Sequence, residues 1–341
     1  MIEIVGIGDL HFDKLEKLLP EVGNRFVAKE LQKPLDYALK NGIPYVFLYG
    51  DIAETARMSY ESQILFYSVL FNPEYKDLKQ WIILGNHDLD EKGRHSLEVL
   101  KGILKWNKTK NIQVIVSTED TEIEGVPVRF LPFPDNKTSS KRLNVGHFES
   151  KGAKRDNGRV IKEGVETDHI CVVGHLHTCH RVNKTYYSGT LYQTNFGESL
   201  PKSFHHIKIN EDLKYKVINV PNDPEFKLFN QKIWSRKDLK SISKKSTHLY
   251  KLFIQEGVRL DPDDLAGYDN VVRIKRFSDE KDLKLLITEE WQVSSYEEGE
   301  GFKPKEDLDE YLVHRKVKSS LRNRALKIHE KLISKFFEEE T

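Results

Sequence analysis

Five times along the chain an apolar run ends in glycine and turns polar at once. "IEIVGIGDLH" sets Asp9 and His11 behind Ile4, Val5 and two glycines. "YVFLYGD" sets Asp51 behind Tyr45 to Tyr49 and Gly50. "WIILGNHDLD" sets Asn86, His87 and Asp88 behind Trp81 to Leu84 and Gly85. "LNVGHFE" sets His147 behind Gly146, and "ICVVGHLH" sets His175 and His177 behind Gly174. Short apolar runs bounded by glycine predict buried strands. In open α/β sheets ligands gather beyond the carboxyl ends of strands. Five strand ends therefore predict one place where Asp9, His11, Asp51, Asn86, His147, His175 and His177 meet.

Between these runs the pattern is helical. Apolar positions in 26–42 recur near helical spacing and Gly42 stops them; 59–72 and 96–106 are further helix candidates. Strands alternating with helices predict an α/β core. From about residue 120 the pattern shifts to strands, which predicts a second sheet packed on the first. "PNDPEF" (221–226) is turn-rich and reads as a boundary. The expected organisation is a catalytic domain over 1–220, a small α+β unit over 221–295, a linker over 296–307 and a helical segment over 308–341.

Composition changes this picture little. At 341 residues with 38% hydrophobic and 31% charged positions, the chain can bury a large core and a smaller second one. No run approaches the roughly 18–20 apolar residues of a membrane span, so no membrane partner is expected. The first residues enter a strand with no basic leader ahead of it. Two cysteines, Cys171 and Cys179, make neither a disulfide framework nor a zinc pair. A reducing, cytoplasmic setting is expected, the host's cytoplasm for a viral source. A net charge of +1 favours no partner by itself, so contact with DNA must come from local patches.

The chemistry sits in the polar residues behind the glycines. Carboxylate, amide oxygen and imidazole together suit borderline divalent ions such as Mn²⁺, Fe²⁺ or Zn²⁺, and the absence of a thiolate weakens a structural zinc reading. Two ions about 3.5–4 Å apart need a shared ligand, and Asp51, alone behind Gly50, is the candidate. His175 and His177 flank Leu176: extended, both face one way; in a loop, each can take a different ion. A lone Asp-x-His or Gly-Asp is ordinary turn chemistry. Gly-Asn-His-Asp and Gly-His-x-His, in this order and both at strand ends, are not accounted for that way. The other histidines (His95, His169, His180, His205, His206, His248, His314 and His329) read as structural or surface groups, and Cys171 as core packing.

The ordered set Asp-x-His, Gly-Asp, Gly-Asn-His, a later His and Gly-His-x-His resembles the calcineurin-like metallophosphoesterase superfamily over residues 1 to about 180. The resemblance implies a four-layer αββα sandwich with two metal ions. It implies that Asp9, His11 and His177 hold one ion, that Asn86, His147 and His175 hold the other, and that Asp51 bridges. His87 would act on the scissile phosphate or protonate the leaving oxygen, with Asp88 bracing it. "GDIAETA" lacks the second motif of the phosphoprotein phosphatases. "YYSGTLYQTNFGE" (186–198) looks like the Tyr-Pro-Gly-Ser and downstream Gly-Glu of SbcD-type recombination nucleases, with Ser188 for Pro and Thr190 for Ser. Where members of that group often carry a His three residues after the bridging Asp, this chain has Glu54.

The nuclease resemblance implies a Mn²⁺-dependent DNA nuclease, 3′→5′ exonuclease on duplex ends and endonuclease on single strands. It implies a capping domain for DNA in the α+β unit. It also implies a homodimer within a heterotetramer with an SbcC- or Rad-fifty-like ATPase, gripped through the C-terminal helix. A small-nucleotide phosphodiesterase and a non-catalytic scaffold are the rival readings. Lys137, Lys141, Arg142, Lys151, Lys154, Arg155 and Arg159 form two basic stretches where a duplex could run, although a charge run is more often a solvated face. In the tail, Val317, Leu321, Ala325, Ile328, Leu332 and Phe336 fall on one helical face, with eight Lys or Arg and one acid between His314 and Lys335.

Overall fold

The computed structural model describes residues 1–20, 22–260, 262–283 and 286. The expected linker and C-terminal helix lie outside the described residues. The three sheets below all belong to one compact unit, Met1–Gln292.

The first sheet is built from strand–helix alternation. Strands β1 (Ile2–Ile7), β2 (Tyr45–Leu48), β3 (Lys79–Ile83) and β4 (Ile112–Ile115) run parallel, and α1 (Gly23–Lys40), α2 (Tyr60–Leu70) and α3 (Glu98–Trp106) connect them in turn. The helix candidates read from the sequence correspond to these three. Past the end of α1, Gly42 takes φ +66°, and the Ile43 amide returns to the Ala38 carbonyl at 2.8 Å. Glycine adopts that left-handed turn without a Cβ penalty.

The second sheet follows. Strands β5 (Glu119–Ile123), β6 (Val126–Leu131), β7 (Leu143–His147), β8 (Cys171–Gly174), β9 (His180–Val182) and β10 (Thr185–Tyr187) assemble in the order β5-β6-β7-β8-β10-β9. The chain then returns to the first sheet through β11 (Lys202–Ile209) and β12 (Tyr215–Asn222), antiparallel to one another, with β11 antiparallel to β1.

Period-two alternation decides what each strand faces. Val5, Ile7, Val46, Leu48 and Ile82 point to the helices and meet Phe26, Leu31, Leu35, Phe66 and Leu100. Ile4, Phe47, Trp81 and Ile83 point the other way and meet Val128, Phe130, Val145 and Val172 of the second sheet. Burying a side chain such as Phe47 stabilises by about 1.5–3 kcal/mol, and the sandwich has two such faces. The outer face of the second sheet carries Leu131, Cys171 and Val173, with Phe148, Ala153 and Ile161 of the following chain packed on it. Among the described residues that cover is irregular chain, not a helix. This is a mixed α/β sandwich with its core on both faces of the first sheet.

Past the turn-rich stretch, β13 (Leu228–Ile233), β14 (Leu249–Gln255) and β15 (Val271–Phe277) form a third, wholly parallel sheet. A short helix, α4 (Pro262–Leu265), lies in its second connection. Its seam with the sandwich is the 193–198 segment. Phe196 packs with Leu228 and Leu249, and the Gln193 side chain pairs with the backbone of Leu228 at 2.9 and 3.2 Å.

Candidate metal centre

The strand ends of β1, β2, β3, β7 and β8 bring their polar residues together because the loops touch. A Cβ on Gly85 would sit 2.1 Å from Asp51 Oδ1, and one on Gly50 would sit 2.7 Å from His147 Nδ1. Only glycine fits between such loops, and the same holds at Gly8 and Gly174, where a Cβ would sit 2.3 Å from the Gly189 carbonyl and 2.7 Å from the Tyr49 carbonyl. Asp51 accepts Leu10 N–H and His11 N–H on its carbonyl, both at 2.9 Å. The Tyr192 hydroxyl donates to the Leu10 carbonyl. This lacing holds His11 and Asp51 at φ +48° and +51°, and His175, whose N–H donates to Asp9 Oδ1 at 2.8 Å, stands at +84°, left-handed conformations that cost about 1–3 kcal/mol each.

The seven residues fall into two groups with one member in common. Ligand atoms of Asp9, His11 and Asp51 lie within 4.8 Å of one another, and so do those of Asp51, His147 and His175. His177 joins the first group, its Nε2 3.0 Å from His11 Nε2. Asn86 joins the second, with Oδ1 2.6 Å from His147 Nε2 and 2.8 Å from His175 Nδ1. Asp51 Oδ2 faces both groups, 3.7 Å from His11 Nε2 and 3.3 Å from His147 Nε2.

The donor set fits divalent cations. His11 Nδ1 faces Glu54 Oε2 at 3.0 Å, His177 Nδ1 faces Glu198 Oε1 at 2.9 Å, and His147 Nδ1 faces the Tyr49 carbonyl at 2.7 Å. Each of these acceptors fixes the ring proton on Nδ1 and leaves a lone pair on Nε2. Two lone pairs then face each other between His11 and His177, and His147 Nε2 faces Asn86 Oδ1, Asp51 Oδ2 and, at 3.3 Å, His175 Nδ1. Asp9 Oδ2 is buried with no hydrogen-bond partner. Acceptors packed against acceptors need a cation between them.

Without a metal, protons take that place. Burial lowers His147, but the charge of Asp51 outweighs it and raises the imidazole to about 9. His177 is likewise raised to about 9, burial being outweighed by Glu198. Burial also opposes the charge on Asp51, yet His147 and its neighbours hold this carboxyl well below its usual range. Both imidazoles stand above their unfolded value, so the stability they give the metal-free protein is full below pH 6.5 and is lost as pH rises through about 9. Metal ions require the neutral rings. Mn²⁺ entry at pH 7.5 is therefore expected to release about two protons, one per ring, falling towards none above pH ~10. Calorimetry in buffers of different ionisation enthalpy reads this number, and no release at pH 7.5 contradicts the arrangement.

His87 is half-buried at the rim. Its backbone N–H donates to Asp51 Oδ1 at 3.0 Å, its Nδ1 lies 3.0 Å from the Glu54 carbonyl, and its ring stands edge-on to His11 at 4.7 Å. Asp88 does not brace that ring as the sequence suggested. Its carboxylate accepts from the amides of Ile52, Ala53 and Gly85 at 3.2, 3.1 and 2.9 Å and from the Ser96 hydroxyl at 2.7 Å. Coming out of the turn at Asn86, the Asp88 side chain points back across the loops, so it ties the Asp51 loop to the Asn86 loop. Burial, then the charge of Asp51, raises Asp88 to about 6.

A model of the calcineurin-like phosphoesterase family matches residues 2–179. The chain belongs to that family. Its members are metal-dependent hydrolases of phosphoesters, and the candidate metal centre lies almost wholly within the matched stretch. No curated protein matches the chain. Among solved structures, a protein of unknown function, AQ665 from Aquifex aeolicus, matches at 16% identity over 54% of this chain and 90% of that one, with a TM-score of 0.26.

Around the phosphoesterase centre lie residues that the motifs do not include. Glu54, flagged as a departure, meets His11 and also Lys14 Nζ at 3.1 Å. Glu149 Oε1 lies 3.5 Å from His175 Nε2, and Arg155 binds Glu149 through two hydrogen bonds of 2.7 and 2.9 Å. Arg155 is thus engaged at the rim of the centre. Of the other basic residues singled out for DNA, Lys151 pairs with Glu166 and Arg142 with Asp120 at 3.3 Å, while Lys137, Lys141, Lys154 and Arg159 are exposed. Exposed pairs of this kind contribute about 0–1 kcal/mol and open readily. His180 stacks on Tyr187 at 4.8 Å, and Cys171 is buried in β8.

Proposed function

We propose that this phosphoesterase is a Mn²⁺-dependent DNA nuclease, a 3′→5′ exonuclease on duplex ends and an endonuclease on single strands. It would work with an SbcC-like ATPase in repair, recombination or replication. The observation that carries the catalytic part is the pair of ligand groups that share Asp51, with His87 beside them. Asp9, His11 and His177 would hold one ion and Asn86, His147 and His175 the other. When bound, two such ions neutralise phosphate charge and make water a nucleophile at neutral pH.

The side chains do the rest. The Glu54 carbonyl accepts from His87 Nδ1–H, which orients the ring and leaves Nε2 to hold or deliver a proton. A protonated Nε2 can give that proton to the departing sugar oxygen, which is a poor leaving group as a bare alkoxide. Asp88 keeps the two loops together, so that His87 and Asp51 stay in register.

The DNA reading is supported by the resemblance of 186–198 to the recombination nucleases. It is also supported by the third sheet, which seats on this segment and extends the chain past the family domain. A homodimer is supported by Tyr60 and Ile64 on α2, Phe71 just past its end, and Val99 and Trp106 on α3, large apolar groups left exposed. The ATPase contact would use the stripe from Val317 to Phe336. An intracellular setting accords with the free cysteines, and no helix among the described residues is long and apolar enough to cross a membrane.

The test is the purified protein with Mn²⁺, Mg²⁺ or EDTA on end-labelled duplex, on single strands and on cyclic nucleotides. Shortening of the duplex from 3′ ends with Mn²⁺, and none with EDTA, is expected. Turnover of cyclic nucleotides with DNA left intact would instead identify a small-nucleotide phosphodiesterase.

A further inference from the structure

Behind His177 lies an ion pair closed off from water. Glu198 is 4% exposed and Lys202 is 1% exposed. Lys202 Nζ donates to Glu198 Oε2 at 2.5 Å, to Thr190 Oγ1 at 2.8 Å and to the His177 carbonyl at 3.2 Å. Glu198 Oε1 accepts from His177 Nδ1 at 2.9 Å, from Asn195 Nδ2 at 3.0 Å and from the Thr194 hydroxyl.

A buried ion pair is a poor way to stabilise a core. Removing a carboxylate and an ammonium from water costs about as much as their attraction returns, and packed apolar side chains do as well. An apolar pair, however, offers nothing to His177 Nδ1–H. The same chain of groups occurs twice more at this centre: His11 to Glu54 to Lys14, and His175 to Glu149 to Arg155. Three imidazoles, His11 from the loop after β1 and His175 and His177 from the loop after β8, each face a carboxylate on the side away from the ligand cluster, and each carboxylate is held by a cation. The cation has a physical task. An anion just behind an imidazole is drawn towards any divalent ion in front of it, and a fixed positive charge keeps it where it orients the ring. Of the three cations Lys202 is the most deeply enclosed, so its effect is least screened by solvent.

We propose that Lys202 is a positioning residue for the metal centre: through Glu198 it holds the His177 ring with Nε2 turned to His11. The inference rests on the two-metal reading above, but not on DNA being the substrate. It makes the Gly-Glu of the 186–198 segment part of the ligand shell's support, with a partner in Lys202 four residues on.

The test is Mn²⁺ titration calorimetry on wild type and Lys202→Met, with the thermal midpoint in EDTA as a separate measure of folding. Lys202→Met is expected to weaken one of the two Mn²⁺ sites by about 10–100-fold, the scale for losing an outer partner of a metal ligand, and to leave the other unchanged. If this variant does not fold, Lys202→Gln keeps a donor in place and removes the charge; its expected loss is about tenfold at the same single site. Unchanged affinity at both sites in a folded variant, even with a lowered midpoint, makes the pair purely structural and overturns the inference. A wild type that binds two Mn²⁺ but leaves DNA intact would remove the nuclease reading and leave this one standing. A wild type that binds fewer than two ions overturns both.

Discussion

Asp51→Ala is expected to bind less than half the Mn²⁺ that wild type binds, by removing both sites at once. Asp51 Oδ2 stands near the Nε2 atoms of both ligand groups, with His147 Nε2 at 3.3 Å and His11 Nε2 at 3.7 Å. The loss at each site should exceed the about 10–100-fold that follows removal of an outer partner, because a shared ligand itself is gone. Oδ1 also accepts the His87 amide, so turnover should fall with the metals. Asp51→Asn serves as the companion: it keeps an acceptor for that amide, loses the charge, and is expected to weaken both sites too. Calorimetry that finds two intact Mn²⁺ sites in either variant refutes the shared-ligand role.

His87→Ser should leave Mn²⁺ binding near wild type and lower the rate of phosphodiester cleavage by about 10²-fold or more, the scale for a positioned acid. That corresponds to about 2.7 kcal/mol or more of transition-state stabilisation. The His87 ring is half-buried, anchored at Nδ1 by a carbonyl and set edge-on to His11. In the proposed division of roles it reaches substrate without sharing an ion. A variant that loses metal in step with activity would make His87 a ligand and end the division of roles.

The strand ends were legible because their cause is local. A loop that must touch its neighbour needs glycine, and the next residue then points into the site, as at Gly50-Asp51 and Gly85-Asn86. Alternation along β1 and β2 likewise announced two buried faces. The outer carboxylates had no such signal. Glu54 is 43 positions from His11, and Glu198 is 21 positions from His177; only the fold brings them together. Sequence adjacency misled at Asp88, which neighbours His87 in the chain but points back to the amides of Ile52, Ala53 and Gly85. The stretch after His147 read as a charge run. Ala153 within it and Ile161 just past it are buried over the second sheet, too widely spaced to form a recognisable period.

The most direct test of the central claim is anomalous diffraction at the manganese edge from crystals grown with Mn²⁺. The account predicts two peaks: one among Asp9, His11 and His177, one among Asn86, His147 and His175, with Asp51 contacting both. A single peak, or two peaks of which Asp51 touches only one, would contradict it.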